Sequence, residues 1–131
     1  MFNGIIFNNG EVCKIQKRKR GINLFLRSKI KLSKNDLGIS ISCDGVCLTL
    51  ISCRKNIFEF YLSNETLKKS KFKKIKIGNE INLEKPLKYG QSISGHICQG
   101  HVDTVGKVKN IKIVDKTYVF EFTISNQFKK Y

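Results

Sequence analysis

Apolar residues recur at alternate positions in short runs separated by turn-forming residues, a period-two pattern that predicts strands. The runs are Gly4 to Phe7, closed by Asn8-Asn9-Gly10, then Ile22 to Leu26, Ile39 to Ile41, Val46 to Ile51 and Ile57 to Leu62. Arg54-Lys55-Asn56 reads as the hairpin turn between the last two. Ile75, Ile77, Ile81 and Leu83 continue the alternation across a break at Gly78-Asn79. Helical signals are brief. Ser63 to Leu67 opens on a capping serine with Glu65 in the first turn, and Ser33 to Leu37 and Ser125 to Phe128 are weaker cases. Short strands at this spacing predict an all-β fold, a small closed barrel or a sandwich.

One register occurs twice. A displacement of 96 positions sets Gly4 on Gly100, Ile6 on Val102, Gly10 on Gly106, Val12 on Val108 and Ile15 on Ile111. Tyr118 to Phe122 then falls where Ile22 to Leu26 predicts a strand. The single proline, Pro86, marks a connector, which gives a first domain at residues 1–90 and the start of a second copy at 91–131. Nothing after Tyr118 to Phe122 matches Val46 to Leu67, so the second copy is expected to be incomplete, with unpaired strand edges.

Composition narrows the picture. With 131 residues and 40% hydrophobic positions the chain can bury a core, and disorder is not indicated. No apolar run approaches the roughly 20 residues of a bilayer span. Met1 to Gly10 lacks the basic start and apolar stretch of a secretory signal, so a cytoplasmic location with no membrane partner is expected. Five cysteines, Cys13, Cys43, Cys47, Cys53 and Cys98, fit free thiols better than a disulfide scaffold. The net charge of +15 would suit a phosphate backbone, but it comes from 21 lysines against four arginines, beside 17 isoleucines and no alanine. That balance reads as compositional drift, since arginine is the better base and phosphate reader. Phe72 is the only aromatic residue within Lys17-Arg18-Lys19-Arg20 and Lys68 to Lys76, so no stacking platform for nucleic acid is expected there.

Two stretches concentrate chemistry. In Cys43-Asp44-Gly45-Val46-Cys47-Leu48-Thr49, an extended strand puts Cys47 and Thr49 on one face and Val46 and Leu48 on the other. A thiol beside a hydroxyl can line a pocket for a heterocycle; a buried cysteine serving as small apolar filler is the alternative. No base in the stretch would activate the thiol. His96-Ile97-Cys98-Gln99-Gly100-His101-Val102-Asp103 holds both histidines, but strand alternation splits the ligand types between two faces, so no metal is expected. Two roles stand for these histidines: an imidazole that donates and accepts in a pocket, or one that ties down a loop.

Together these motifs resemble riboflavin synthase, the alpha-type, two-barrel family. Its Met-Phe-Thr-Gly-Ile opening appears as Met1-Phe2-Asn3-Gly4-Ile5, and its Gly-Val-Cys-Leu-Thr as Gly45-Val46-Cys47-Leu48-Thr49. Glu65-Thr66-Leu67, Asn82-Leu83-Glu84, Ser94-Gly95-His96 and Gly100-His101-Val102-Asp103 follow in the family's order along the whole chain. Asn3 replaces a family threonine and Ser94 a glycine.

The resemblance implies a six-stranded closed Greek-key barrel with short helices, followed by an incomplete second copy. It implies a cofactor-free dismutation. Two molecules of 6,7-dimethyl-8-ribityllumazine exchange a four-carbon unit, giving riboflavin and 5-amino-6-(ribitylamino)uracil, in a homotrimer when full length. Phe2, Ser40, Cys47 and His101 correspond to positions near the reaction centre. The first-barrel pocket is expected from Gly4, Ile5 and Ile6, with Cys47, Leu48 and Thr49, closed by Tyr61, Leu62, Ser63, Asn64, Glu65 and Thr66. Gly100, His101 and Val102 match the equivalent wall of the second barrel. On this reading residues 1–90 alone bind lumazine or riboflavin, and the chain as given turns lumazine over slowly or not at all. A non-catalytic lumazine- or flavin-binding relative of the same fold is the rival reading.

Overall fold

A computed structural model describes residues 1–130; Tyr131, the last residue of the expected second copy, lies outside the described residues. β1 (Asn8–Arg18), β2 (Gly21–Ser28), β3 (Ser40–Cys43), β4 (Val46–Arg54), β5 (Ile57–Ser63) and β6 (Glu80–Glu84) form a closed antiparallel barrel. Its strand order is β1-β2-β5-β4-β3-β6, with β6 pairing back onto β1. Closure removes sheet edges. Alternate residues point inward, so Val12, Leu24, Leu26, Ile41, Leu48, Leu50, Phe58, Phe60, Leu62, Ile81 and Leu83 fill the interior. Helix α1 (Asn64–Lys69) follows β5 because the Ser63 hydroxyl accepts the Thr66 N–H at 3.1 Å.

The turns are tight. Asp44 and Gly45, with φ of 48° and 82°, carry the chain from β3 to β4, as the left-handed pair of a two-residue hairpin must. The Asp44 carboxylate also accepts the Asn82 N–H at 2.9 Å and meets Lys71 Nζ at 2.7 Å, fastening this hairpin to its neighbours. Gly21, at φ 156°, lies so close to β5 that a Cβ there would stand 2.0 Å from the Leu62 carbonyl oxygen.

Two expected strands are displaced. Gly4 to Phe7 is not a strand, and Asn8-Asn9-Gly10 is no turn but the start of β1. Between β2 and β6 this segment pairs on both sides, Gly10 with Ser28 and with Ile81, and such pairing overrides the turn preference of Asn and Gly. Glycine fits because a Cβ at position 10 would come within 3.0 Å of Leu83 Cδ1. Ile75 and Ile77 also fall outside β6. The buried Ser70 caps a short 3-10 turn, Lys71–Lys74, that drives Phe72 into the core and uses up the segment.

The second copy is present as a two-stranded sheet, β7 (Lys107–Val114) and β8 (Thr117–Thr123). Its register repeats that of β1 and β2 at the 96-residue offset. Lys17 faces Ile22 and Ile113 faces Tyr118, and the bulge between Val12 and Lys14 recurs between Val108 and Asn110. Phe120 and Phe122 occupy the places of Leu24 and Leu26. Those leucines are wholly buried; the phenylalanines are 50% and 61% exposed.

Candidate functional site

In β4, Val46, Leu48 and Leu50 turn into the barrel, which leaves Cys47 and Thr49 on its outer wall. Across the ladder, Ser42 stands opposite Cys47 and Ser40 opposite Thr49. Two thiol–hydroxyl or hydroxyl–hydroxyl pairs thus share one outward surface, a wall that can donate and accept hydrogen bonds. Leu48 and Leu62 contribute backbone to the surface while their side chains are core.

A strap crosses this wall. The Cys47 N–H donates to the Gly100 carbonyl oxygen at 2.8 Å, and Gly100 has a left-handed φ of +79°. A Cβ at position 100 would stand 2.8 Å from Cys47 Cβ, so glycine is what lets the two backbones meet. Val102 packs against the barrel core. The Asp103 charge reaches the end of α1, where Lys69 is held above its ordinary pKa, first by its hydrogen bond to Glu65, then by that carboxylate's charge, and least by Asp103. His101, exposed, follows Gly100 on the strap. The helix brings its own polar groups: Ser63 and Thr66 hydroxyls 3.1 Å apart, and exposed Asn64 and Glu65, the latter paired with Lys69 at 3.0 Å. Tyr61 is spoken for by the Arg20 carbonyl oxygen, to which its hydroxyl donates at 2.8 Å.

The structure brings some of the expected site residues together and holds others apart. Gly4, Ile5 and Ile6 were expected beside Cys47, with Gly100, His101 and Val102 on a second barrel. The structure seats Gly100 on Cys47 and packs Val102 on the first barrel, whereas Gly4 lies against Cys98 and Glu84 and Ile5 near Gly95. Ile6 is exposed. The cause is an exchange of backbone hydrogen bonds between the two leaders. The Phe2 N–H donates to the Cys98 carbonyl oxygen at 2.8 Å, and the Cys98 N–H returns a bond to the Phe2 oxygen at 2.9 Å. Positions 2 and 98 are each other's repeat equivalents, so the leaders pair antiparallel about a local pseudo-two-fold. Residues 1–90 therefore lack one side of the Cys47 wall. Periodicity carries no trace of such a crossing, because it reports local faces and not which leader lies on which barrel.

Buried groups frame the strap. Phe2 is 1% exposed. Burial, with the nearby Asp44 charge, pushes the Cys43 thiol well above its ordinary pKa, so Cys43 is a core residue and not a nucleophile. The side-chain oxygen of Asn3 is buried without a hydrogen-bond partner at the position where threonine was expected. Glu84, 8% exposed, accepts the Asn3 and Gly4 N–H groups, a role that pattern reasoning missed. Its signals in the sequence are its place in the Asn82-Leu83-Glu84 motif and an acidic residue closing the alternation of β6. Among the described residues no three His, Cys, Asp or Glu side chains gather as a metal site, and no helix is long and apolar enough to cross a membrane.

Comparison with known proteins adds three findings. A family model described as the lumazine binding domain matches residues 3–86. The chain is 39% identical over 113 residues to riboflavin synthase of Buchnera aphidicola subsp. Baizongia pistaciae, covering 86% of this chain and 53% of that protein. It is 33% identical over 132 residues to riboflavin synthase of Photobacterium leiognathi, covering all of this chain and 61% of the relative. The chain thus spans little more than half the length of these relatives. Crystal structures of LumP share the fold. The complex with riboflavin superposes with a TM-score of 0.81 at 20% identity, covering 99% of this chain and 71% of LumP. The complex with 6,7-dimethyl-8-(1'-D-ribityl) lumazine gives 0.79 at 21% identity, covering 96% and 70%.

Proposed function

The chain belongs to the lumazine-binding domain family, and on that premise we propose that it binds 6,7-dimethyl-8-ribityllumazine on the outer wall of its barrel as part of a riboflavin synthase. The observation that carries the reading is the Gly100–Val102 strap on Cys47. On this reading the strap covers an otherwise open strand face, with Ser40, Cys47 and Thr49 proposed as one side of the site, the α1 end as another and His101 as its rim. Strand-end N–H and C=O groups can read the edge of a pyrimidine-like ring as an added strand would.

The proposed reaction is the dismutation of two lumazines to riboflavin and 5-amino-6-(ribitylamino)uracil. Such chemistry asks mainly for positioning: one ring held against another, with a proton leaving the acidic 7-methyl group. His101 is the candidate for proton transfer or ring orientation, and Cys47 for the pocket wall. The pseudo-two-fold pairing of Phe2 with Cys98 supports a reciprocal arrangement. If the second leader roofs the first barrel, the Gly4–Ile6 leader would roof the second, and the reacting pair would come from two barrels in an assembly such as a homotrimer.

Lumazine titrated into the 131-residue chain should change its fluorescence with saturation, and Thr49→Val should weaken binding by about 1–3 kcal/mol. No change at high micromolar lumazine, with the chain shown folded, would overturn the binding reading. The likeness to LumP favours a second reading, a carrier that binds without turnover. Riboflavin formation in the presence of a complete second repeat separates the two, since a carrier would form none.

A further inference from the structure

Glu84, Ser42 and Cys47 make one row across three neighbouring strands, since Glu84 pairs with Ser42 and Ser42 with Cys47. Leu83 points into the core, so Glu84 points outward, on the same wall as Cys47. The two paired leaders lie across this row. At one end Gly100 takes the Cys47 N–H; in the middle Phe2 and Cys98 exchange hydrogen bonds; at the other end Glu84 holds Asn3 and Gly4. The carboxylate accepts the Asn3 N–H at 2.5 Å and the Gly4 N–H at 3.2 Å to each oxygen. Gly4, at φ +76°, turns two consecutive N–H groups toward one point, the concave arrangement that suits an anion. A carboxylate is the fitting partner because both of its oxygens accept, whereas an amide would turn an N–H toward one of these donors.

We propose that Glu84 is a positioning residue for the candidate lumazine site, anchoring the Met1–Gly4 leg of a two-stranded ribbon whose other leg, Cys98–Gly100, roofs Cys47. This rests on the lumazine-binding reading above. Glu84 need not touch the ligand. Its effect passes through the Phe2–Cys98 pair, which transmits a lateral shift of one leader to the other as any paired strand would. Gly95 locks the same junction, since a Cβ there would lie 2.6 Å from the Asn3 carbonyl oxygen.

The test compares the full chain with Glu84→Ala and Glu84→Gln, reading lumazine affinity by fluorescence and backbone amide hydrogen exchange by NMR. In Glu84→Ala the amides of Asn3, Gly4, Cys98 and Cys47 should exchange faster while those of β2 and β5 keep their protection. Lumazine should bind about tenfold more weakly. Glu84→Gln, with one accepting oxygen, should fall between. Faster exchange confined to Asn3 and Gly4, with Cys47 protection and affinity unchanged, would overturn the proposal. So would unchanged exchange at all four amides. If Glu84→Ala loses protection throughout the barrel, Glu84→Gln is read by the same criteria. Failure of the parent chain to bind lumazine would sink the functional reading alone, because the exchange at Cys47 still reports whether Glu84 sets the roof.

Discussion

Cys47 and Gly100 meet backbone to backbone, and that contact leaves no room for a side chain on the strap. Gly100→Ala places a methyl group 2.8 Å from Cys47 Cβ at a φ of +79°, where alanine is strained as well. The strap, not the barrel, should give way, because barrel strands are closed on both sides. The expected outcome is a lumazine affinity lower by at least about tenfold with the thermal midpoint nearly unchanged, measured by fluorescence titration and calorimetry. A parallel loss of stability would show that the strap is part of the core. The Cys47 thiol itself faces no activating base in its own stretch, and its proposed place is the pocket wall. In a protein carrying the whole second repeat, Cys47→Ser should therefore keep a substantial fraction of riboflavin formation. A loss beyond about a thousandfold, ~4 kcal/mol in the barrier, would make the thiol a nucleophile instead.

The strands were legible where one face was buried and the turn was chemically marked. β2, β4 and β5 follow from Ile22 to Leu26, Val46 to Ile51 and Ile57 to Leu62, with core residues at alternate positions in each; in β2 the outward Asn23 is buried as well. The start of β1 was not, because Asn8-Asn9-Gly10 carries turn residues that only pairing on two sides converts to strand. Ile75 and Ile77 failed for the converse reason: they alternate correctly, yet Ile75 closes the Ser70-capped turn that anchors Phe72 and Ile77 falls in the turn that precedes β6. Cys47, Thr49 and Ser40 are legible as neighbours on one strand face, whereas the backbone bond that lays Gly100 on Cys47 has no counterpart in the local pattern. Helix α1 depends on a cap, and the β2–β5 seam on a glycine. Gly21→Ala puts a Cβ 2.0 Å from the Leu62 carbonyl oxygen, which backbone cannot evade without parting the strands. A loss of about 2–4 kcal/mol is expected in chemical denaturation; a change under 0.5 kcal/mol would mean that the seam is looser than drawn.

Among the described residues, a closed barrel is followed by a hairpin that repeats its first two strands. The hairpin brings the register of β1 and β2, bulge included, but within these residues no counterpart of β3 to β6 covers Val108, Phe120 and Phe122. On the proposed reaction the second lumazine would then have few fixed donors, and the proximity advantage, which can reach about 7–11 kcal/mol when geometry is right, would be largely forgone. Riboflavin formation by the 131-residue chain should be far slower than by a version carrying the whole second repeat, at equal protein concentration. Equal rates would show that the second barrel is dispensable. The strap carries a further consequence for the order of events during synthesis. Cys47 and Glu84 leave the ribosome before Gly100 does, so the nascent barrel can close while its outer wall is still bare. On the proposed reading, translation completes the strands of the barrel first and the lumazine site only later, when the leader of the second copy emerges and lies down across the first.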